Sequence, residues 1–527
     1  MIPSSSKFES SLVELFERRV RETPKAHALT AASPGRGDVR RTYEGLWSDA
    51  LCFADGLRSQ GVVPGDHVGL MLSNDAGYEA CVSMLGLHRL GCVVVPVNAR
   101  FAVEELVYVL SKARCSTLVA LASLLPTVAA AKGRVNALAR IISVGGAEDW
   151  TVAWEDVFSL GNAASGGWPE IRPDRMSEII FTSGTTAHPK GAVMTQARCL
   201  ASGHDFAHEL ALEADDVYQS FFPFFTTACI HCVLFPAWWA GGAAVLDRAL
   251  DVPEVIARME REGTTKYIGA PTFYILLLEA YRPTEHDLSR IRIFDYGGAA
   301  MSVEVIRELA NVFPKVELRQ TYGMTESGGP GTFMAGTDTF TKLGSVGRPA
   351  PNIQIRIVDD EVRPLPPRAI GEIAVRGPSV MREYFEEPEL TAKALRDGWL
   401  LTGDVGYLDE DGFLFHVDRK KDMIIRGGHN IGSLEVEEVF YSHPAVQDAA
   451  VVGVPHPKLG EDIFAFVVLH AEQSVSVDEL RSYCLDKLAD YKIPRKISFV
   501  TQLPRGPMGK VLKNVLRDMA IGKDIAA

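Results

Sequence analysis

The 527-residue chain has few cysteines and no excess of positive charge, and each shortage excludes a class of protein. Its eight cysteines show no dense spacing, which excludes a small disulfide-stapled scaffold and is typical of a reducing compartment. It has 54 basic and 67 acidic residues, a net charge of −13, whereas binding to a nucleic-acid backbone requires a basic face. We therefore expect no nucleic-acid partner, although a local basic pocket could still bind a phosphate ligand.

Long apolar segments are also scarce. Residues 228–246 carry no formal charge but are interrupted by one proline and two glycines. Because a membrane-spanning helix needs about 20 mostly apolar residues, these interruptions favour a helix ending at Trp238–Trp239 and a buried strand over Ala243–Leu246. The first residues lack the basic and then apolar pattern of a signal peptide. We expect no membrane span and a cytoplasmic protein.

The segment Cys229-Ile230-His231-Cys232 has the CxxC form of some metal and redox sites. No second CxxC or histidine pair lies near it in the sequence, and buried free cysteines are common in apolar segments. The pattern therefore favours a structural role for these cysteines.

Helical and strand patterns alternate over the first 420 residues. A helix over Val103–Lys112, for example, is predicted between strands at Cys92–Pro96 and Thr117–Ala120. Such alternation is typical of an α/β fold with layered, largely parallel sheets. We therefore expect a large N-terminal domain of layered mixed sheets with helices over residues 1–420.

The pattern changes after the very polar segment Asp418–Asp422. It becomes a compact mixture, with strands at 448–454 and 463–469 and helices at 434–443 and 477–488. A charged strip between two cores is typical of a hinge. We expect a small, mobile α+β domain over residues 421–527.

Residues 181–191 read Phe-Thr-Ser-Gly-Thr-Thr-Ala-His-Pro-Lys-Gly and combine four hydroxyls, two glycines and a lysine. Glycines allow backbone N–H groups and hydroxyls to converge on an anion, and Lys190 adds a cation. The spacing is not the GxxxxGK(S/T) of P-loop NTPases, because no serine or threonine follows the lysine. The loop is a candidate polyphosphate cradle; a flexible surface loop is the alternative.

Four further motifs follow in the chain. They are Gln-Thr-Tyr-Gly-Met-Thr-Glu-Ser at 320–327, Leu-Thr-Gly-Asp at 401–404, Asp-Arg-Lys-Lys-Asp at 418–422 and Leu-Pro-Arg-Gly-Pro-Met-Gly-Lys at 503–510. In this combination and order the sequence resembles the adenylate-forming superfamily, which includes acyl-CoA synthetases, peptide-synthetase adenylation domains and firefly luciferase. The resemblance extends from Gly61 to Lys510 and is closest to acyl-CoA synthetases.

The resemblance implies a two-step reaction that uses ATP, Mg²⁺ and coenzyme A. A carboxylate attacks the α-phosphate of ATP to form an acyl-adenylate and pyrophosphate, and a thiol then displaces AMP. Catalytic roles fall to Thr325 at the α-phosphate, to Glu326, and to Lys510, a cation between the carboxylate and the α-phosphate. Glu326, with Thr185, would hold Mg²⁺, a hard cation that prefers oxygen ligands. The C-terminal domain would rotate about Lys421 between the two steps.

The resemblance also assigns the nucleotide and acyl sites. The β- and γ-phosphates would be bound by Thr182, Ser183, Gly184, Thr185, Thr186 and Lys190. Adenine would lie between Tyr322 and the backbone of Gly298, Ala299 and Ala300, and the ribose would contact Asp404 and Arg419. The acyl-pocket candidates are Phe224, Thr226, Thr227, Ile230, Phe273, Gly297, Gly298 and Gly323. They are mostly apolar, so an apolar carboxylic acid (fatty, aromatic or alicyclic) is the expected substrate.

Three positions depart from the family pattern. Ala187 stands where the phosphate loop usually has glycine, and Thr226 stands where a histidine usually borders the acyl pocket. Gly432-Ser433 replaces the usual residues of the face that meets the thiol. Adenylation alone, with transfer to a separate carrier-protein thiol, therefore stays open, as do a luciferase-type oxygenase, a non-catalytic nucleotide-binding protein and a homodimer.

Overall fold

The computed structural model describes residues 10–182, 189–299, 301–505 and 511–522. Three predicted site segments fall partly or wholly outside these residues: the loop residues Ser183, Gly184, Thr185 and Thr186 with Ala187, then Ala300, and Lys510. The helices are α1 Leu12–Glu22, α2 Tyr43–Ser59, α3 Gly77–Leu90, α4 Val103–Lys112, α5 Leu125–Lys132, α6 Trp154–Leu160, α7 Gln196–Glu209, α8 Thr227–Cys229, α9 Phe235–Ala240, α10 Val252–Glu262, α11 Pro271–Ala280, α12 Val303–Val312, α13 Pro388–Ala394, α14 Ser433–Tyr441, α15 Val477–Leu485 and α16 Lys513–Ala520.

Strands β1 to β14 are β1 His27–Ser33, β2 Gly37–Thr42, β3 His67–Met71, β4 Val93–Pro96, β5 Thr117–Leu121, β6 Arg140–Val144, β7 Val152–Ala153, β8 Met176–Thr182, β9 Lys190–Thr195, β10 Val217–Ser220, β11 Ala243–Leu246, β12 Lys266–Gly269, β13 Ile293–Gly297 and β14 Glu317–Tyr322. The later strands are β15 Thr332–Met334, β16 Arg348–Pro349, β17 Gln354–Val358, β18 Gly371–Arg376, β19 Glu383–Tyr384, β20 Leu395–Arg396, β21 Trp399–Leu408, β22 Leu414–Arg419, β23 Ile424–Arg426, β24 His429–Ile431, β25 Val446–His456, β26 Gly460–Leu469 and β27 Lys496–Phe499.

Two large sheets form the first part of the fold. One has eight strands in the order β19-β9-β8-β4-β3-β5-β6-β7, and the other has nine in the order β16-β15-β14-β13-β12-β10-β11-β1-β2. Their central strands pair in parallel, and antiparallel strands lie at both edges of the nine-stranded sheet and at the β19 edge of the eight-stranded sheet. A single buried cluster contains side chains of both sheets, such as Val94 and Ile180 from one and Tyr218 and Ile268 from the other. The predicted layered α/β architecture is confirmed.

Local sequence signals explain how α1 begins and packs. Ser11 accepts a hydrogen bond from the backbone of Glu14, whose side chain in turn accepts from the backbone N–H of Ser11, a capping box. The apolar stripe that follows is buried, and Phe16 packs edge-on against Trp238 with 5.2 Å between ring centroids. The amphipathic pattern thus fixes α1 against α9.

The segment 228–246 forms short helical turns, including a π-helical segment at Ile230–Leu234, then α9 and the buried strand β11. The helix, glycine turn and strand expected there are confirmed. Among the described residues, no helix combines the length and apolar character required to cross a bilayer. Cys229 and Cys232 are buried free thiols, and burial raises the pKa of both.

A third sheet of five strands, β17-β18-β21-β20 with β22 paired to β21, is antiparallel and precedes the polar segment 418–422. The C-terminal sheet has the order β24-β23-β26-β25, with β27 parallel to β26. Alternate residues of β25 and β26 lie in two different apolar clusters, so both faces of this sheet are buried. The described members of these clusters all lie between Ile424 and Ala520. The smaller α+β C-terminal unit predicted from the sequence is confirmed.

Candidate active site

The adenine-site candidates lie at the carboxyl ends of two neighbouring parallel strands. Gly297 at the end of β13 is paired with Thr321 in β14, so Gly298 and Tyr322 emerge at the same edge of the sheet. Gly298 has a φ of +81°, a conformation that glycine adopts without strain. In open α/β sheets this edge is where ligands bind.

Two glycines allow the backbone to pass close to itself at this edge. A Cβ on Gly323 would lie 1.7 Å from the carbonyl oxygen of Gly329, and one on Gly297 would lie 2.8 Å from that of Thr321. Neither position accepts a side chain without a backbone shift. The tight turn after β14 therefore depends on glycine at 323.

Asp404 is the centre of a polar cluster beside Tyr322. The Tyr322 hydroxyl donates to Asp404 Oδ2 at 2.7 Å, and Arg419 Nε lies 2.7 Å from Asp404 Oδ1. The register of β21 and β22 pairs Asp404 directly with Arg419. His416 Nε2 lies 3.9 Å from the same oxygen, and its ring centroid lies 5.8 Å from that of Tyr322. The structure therefore brings Tyr322, Asp404 and Arg419 together, and it adds His416.

The charge state of Asp404 follows from these partners. Burial by itself raises the pKa of the carboxyl, but the nearby His416 ring, the Arg419 charge and the Tyr322 hydroxyl outweigh burial. The pKa of Asp404 therefore lies below its usual value. The side chain is a buried carboxylate suited to accept hydrogen bonds from a diol.

Thr325 and Glu326 occupy a 3₁₀ turn that is fixed at both ends. Ser327 Oγ accepts from the backbone N–H of Met324 at 3.2 Å, and Met381 N donates to the carbonyl of Glu326 at 2.8 Å. Thr227 Oγ1 donates to Thr325 Oγ1 at 3.0 Å. Thr227 therefore connects the acyl-pocket candidates to the residue assigned to the α-phosphate.

Tyr384 links the metal and phosphate candidates. Its hydroxyl donates to Glu326 Oε1 at 2.8 Å, and Lys190 Nζ lies 5.4 Å from the centre of its ring. Burial and then the Glu326 charge raise the pKa of Tyr384, so the hydroxyl keeps its proton. We did not identify Tyr384 from the sequence, because the contact arises from the pairing of β19 with β9.

The phosphate loop begins at Thr182, the last residue of β8. Among the residues that the structure describes, no group hydrogen-bonds the buried Thr182 Oγ1. Lys190 begins β9 and pairs with Thr182 across the loop. Thr182 and Lys190 therefore lie opposite each other at the base of the loop.

The donor set fits Mg²⁺. Glu326 supplies a carboxylate that is 8% exposed, with Thr325 beside it, and hard cations of this kind prefer oxygen ligands. Tyr384 orients one oxygen of Glu326 by its hydrogen bond. Such outer contacts fix the direction of a metal ligand.

Most acyl-pocket candidates are buried. Phe224 and Ile230 are fully buried in the main core cluster, and Phe273 stacks on Tyr267 with 4.3 Å between centroids in another cluster. Thr226 caps α8: its hydroxyl donates to the carbonyl of Pro223 at 2.7 Å and accepts from the backbone N–H of Cys229 at 3.2 Å. The hydroxyl that replaces the family histidine is thus engaged locally.

A buried carboxyl lies beneath this edge, where sequence reasoning found no acid. Asp295 is two residues before Gly297, is fully buried, and lies 2.8 and 2.9 Å from Thr321 Oγ1 through its two oxygens. Burial raises the pKa of Asp295 to about 8, against the opposing Thr321 hydrogen bond and Arg319 charge. Asp295 therefore carries a proton at neutral pH. The alternating apolar pattern of β13 gave no sign of this burial.

The Asp295→Asn variant is expected to become more stable relative to the wild type as the pH rises. Because the folded-state pKa of Asp295 is raised, its contribution to stability is full below the unfolded pKa of about 4 and is lost as the pH approaches about 8. The asparagine variant does not titrate. Its advantage in the free energy of unfolding should therefore grow by up to about 1.4 kcal/mol per pH unit between pH 5 and 8.

Urea denaturation of both proteins across this pH range measures the difference. Asp174→Asn is the matched control, because the Asp174 side chain is 72% exposed, and its difference from the wild type should stay flat. Parallel stability curves for the wild type and Asp295→Asn would contradict the raised pKa of Asp295.

Comparison with known proteins agrees with this geometry. Residues 16–385 match the family model described as AMP-binding enzyme, and residues 435–510 match that of the AMP-binding enzyme C-terminal domain. The chain is 34% identical to a feruloyl-CoA synthase from Amycolatopsis sp. over 508 residues, which cover 95% of this chain and 97% of that protein.

Two other similarities extend over the whole chain. A propanoyl:CoA ligase from Rhodococcus jostii (strain RHA1), whose propanoyl group carries a methyl-dioxo-octahydroindenyl substituent, is 33% identical over 505 residues, with 93% of this chain and 95% of that protein covered. The crystal structure of the anthranilate CoA ligase AuaEII in complex with anthranoyl-AMP superimposes with a TM-score of 0.89 at 26% identity, covering 98% of this chain and 99% of that chain. These matches agree with the five motifs and with the polar cluster around Asp404. The chain therefore belongs to the AMP-binding enzyme family.

Proposed function

We propose that the protein is an acid–CoA ligase. A carboxylate oxygen of the acid attacks the α-phosphorus of ATP, the bond to the β-phosphate oxygen breaks, and acyl-AMP and pyrophosphate form. The thiolate of CoA then attacks the acyl carbonyl, and AMP leaves. The observation that carries this proposal is the joining of Tyr322, Asp404 and Arg419 beside the turn that holds Thr325 and Glu326.

The nucleotide is held by groups that the fold places in advance. Asp404 accepts the ribose hydroxyls, Arg419 keeps that carboxylate charged, and Tyr322 is held by its hydroxyl with its ring available to adenine. Thr325 donates to the α-phosphate, and Lys190 places its charge near the leaving pyrophosphate. Phosphoryl transfer depends mainly on such positioning and charge stabilisation.

Glu326, with Thr185, would hold Mg²⁺, which neutralises phosphate charge when bound. The task of the protein side chains is to aim Glu326. Tyr384 does so through its 2.8 Å hydrogen bond. Lys510, which lies outside the described residues, is proposed as the cation that bridges the carboxylate and the α-phosphate.

We also propose a division of the chain at Lys421, with domains over residues 1–420 and 421–527. The separate, two-sided core of the C-terminal sheet supports this division. Asp418 accepts from both the backbone N–H and the hydroxyl of Ser433 at 2.6 Å, so the polar segment connects directly to α14.

The acid substrate is proposed to carry a ring. Feruloyl, anthranoyl and octahydroindenyl-propanoyl groups, which are named for three of the similar proteins, are cyclic, whereas another relative, 32% identical, is named for long-chain fatty acids. The acyl-pocket candidates of this chain carry no charge. A shorter threonine at position 226, in place of histidine, leaves more room for a bulky ring. An aromatic or alicyclic acid fits these features.

Pyrophosphate release tests the proposal. The purified protein would be incubated with ATP, Mg²⁺ and a panel of aromatic, alicyclic and straight-chain acids, with and without CoA. Release for a ring-bearing acid, with acyl-CoA formed only when CoA is present, is the expected result. If acyl-AMP accumulates and is never converted to acyl-CoA, the ligase proposal is wrong. The protein would then be an adenylating enzyme that serves a separate carrier-protein thiol.

We propose a cytoplasmic location, which the eight free thiols support. A homodimer is a further hypothesis, and light scattering of the purified protein measures it directly.

Tyr384→Phe is expected to lower kcat/KM for MgATP about tenfold, because a hydrogen bond to a charged group contributes about 1.5–3 kcal/mol. The change removes only the hydroxyl that orients Glu326. Initial rates of pyrophosphate release at varied ATP measure the effect. Tyr407→Phe, a half-buried tyrosine stacked on Phe415 with 4.8 Å between centroids, is the matched control. Equal activity of Tyr384→Phe and the wild type would show that Tyr384 does not orient Glu326 for MgATP.

A further inference from the structure

A carboxylate is completely buried beneath the proposed metal turn. Glu178 in β8 lies between two equally buried histidines, His88 in α3 and His231 in the π-helical segment. His231 Nε2 is 2.7 Å from Glu178 Oε2, and His88 Nε2 is 3.3 Å from Glu178 Oε1. Neither the five motifs nor the proposed reaction uses this group.

The partners of His231 locate its protons. Nδ1 faces the carbonyl oxygen of Gly328 at 3.1 Å, and since a carbonyl only accepts, Nδ1 carries a hydrogen. At 2.7 Å, Nε2 and the Glu178 oxygen must also share a proton, because a lone pair facing a carboxylate would repel it. His231 and Glu178 therefore share one proton in the hydrogen bond between Nε2 and the carboxylate.

The other neighbours of Glu178 carry no charge. Gln196 Oε1 accepts from the backbone N–H of Leu12 at 3.1 Å, so its amide nitrogen donates to His88 Nδ1 at 3.1 Å. His88 Nε2 lies 3.3 Å from Glu178 Oε1 without a hydrogen bond between them, so among the described residues His231 is the histidine that hydrogen-bonds this carboxylate. Burial and then the Glu178 charge raise the pKa of the Cys199 thiol well above its usual value, so this neighbour is also protonated.

The ligand atoms of Glu178, Cys199 and His231 lie within 4.8 Å of one another, as a metal site would also require. Zinc bound to a histidine nitrogen and a carboxylate oxygen holds each at about 2.0–2.2 Å, which separates tetrahedral ligand atoms by about 3.3 Å. The 2.7 Å separation between His231 and Glu178 is that of a charge-assisted hydrogen bond. The geometry favours a proton over a metal ion.

The network ends at the turn that carries Glu326. Besides His231, Ser202 Oγ donates to the carbonyl of Gly328 at 2.6 Å. Gly328 follows the Thr325–Ser327 turn with a φ of +77°, and a Cβ there would lie 2.4 Å from the carbonyl oxygen of Ser379. Two buried donors thus hold the carbonyl that closes the turn.

We propose that Glu178 and His231 are positioning residues for the metal-binding turn, an inference that rests on the proposed function. Glu178 keeps His231 protonated, and His231 fixes the carbonyl of Gly328. The turn then presents the Glu326 carboxylate in a constant direction. Loss of the pair should weaken the cooperation between Mg²⁺ and ATP more than the binding of ATP alone.

Glu178→Gln tests this by isothermal titration of ATP in Mg²⁺ and in EDTA. Glutamine keeps the shape of the side chain and can donate to neutral His231, but it removes the charge. The gain in ATP affinity produced by Mg²⁺ is expected to fall about tenfold. A purely structural role would change the two affinities equally. Asp216→Asn is the matched control. This carboxylate is also buried and lies 2.9 Å from Lys266 Nζ, but it precedes the amino end of β10, whereas the candidate site lies at the carboxyl ends of the strands.

Two further variants test the inference independently of Glu178→Gln. Ser202→Ala removes the second donor to Gly328 and should lower the same gain two- to threefold; it decides the question if Glu178→Gln does not fold. Cys199→Ser retains a donor towards Glu178 and should behave as the wild type.

An unchanged gain in Glu178→Gln, or in Ser202→Ala where only that variant folds, would overturn the inference. If the purified protein contains a stoichiometric transition metal and Cys199→Ser loses it, the cluster of Glu178, Cys199 and His231 is a metal site and the shared proton is refuted. If the wild type binds ATP but forms acyl-AMP from no acid, the proposed function fails instead, and the binding data still report on the turn.

Discussion

Lys510→Ala is expected to slow acyl-adenylate formation several hundredfold while a supplied acyl-adenylate still reacts with CoA. Removing one preorganised donor from a developing charge costs about 3–4 kcal/mol in the transition state. In the first step two anions, the carboxylate and the α-phosphate, must approach each other. In the second step a thiolate attacks a carbonyl, and the role proposed for Lys510 does not extend to that step.

Two assays separate these steps for the Lys510 variant. Pyrophosphate exchange measures adenylation, and acyl-CoA formation from synthetic acyl-AMP measures transfer. Lys496→Ala, an exposed lysine of β27 in the same domain, is the matched control and should retain both. Equal loss of both steps in Lys510→Ala would show that this lysine supports the fold or the transfer step and would refute its catalytic assignment.

Asp404→Asn is expected to raise KM for ATP about 100-fold with little change in KM for the acid. Asp404 is ionised because Arg419, His416 and Tyr322 hold its pKa down. Each hydrogen bond from a ribose hydroxyl to this charged acceptor contributes about 1.5–3 kcal/mol, and every 1.4 kcal/mol is about tenfold. Asparagine keeps the shape of the side chain and loses the charge.

Deoxynucleotides show whether the loss arises at the ribose. The wild type should discriminate strongly against 2′-deoxy-ATP and 3′-deoxy-ATP, whereas Asp404→Asn should hardly discriminate, because the two changes remove the same contact. Asp409→Asn, a carboxylate in the turn after β21 that lies 2.7 Å from Lys342 Nζ, should leave KM for ATP unchanged. Additive effects of the nucleotide and the Asp404 changes would place the ribose elsewhere.

The sequence predicted elements and motifs well where the signal is local. The helix over Val103–Lys112 has the predicted bounds, and β11 coincides with the expected Ala243–Leu246. Hydrophobic periodicity and glycine turns decide such elements without help from distant residues. Motif order also identified Tyr322, Asp404 and Arg419, which the fold brings into contact although they are far apart in the chain.

Residues whose role depends on distant contacts could not be predicted in this way. Tyr384 reaches Glu326 only because β19 pairs with β9, and His416 reaches Asp404 through the register of β21 and β22. Glu178 and Asp295 stand in apolar strand patterns, and their burial follows from helices and sheets that are distant from them in the sequence. No local pattern carries that information.

The two-sided core of the C-terminal sheet has an evolutionary consequence. Since the described members of its apolar clusters all lie between Ile424 and Ala520, we expect that this segment can be exchanged for that of another family member with little exposure of apolar surface. A chimera joined at the polar segment 418–422 should therefore fold. The chemistry of the thiol acceptor can thus diversify by recombination, independently of the part that binds ATP and the acid.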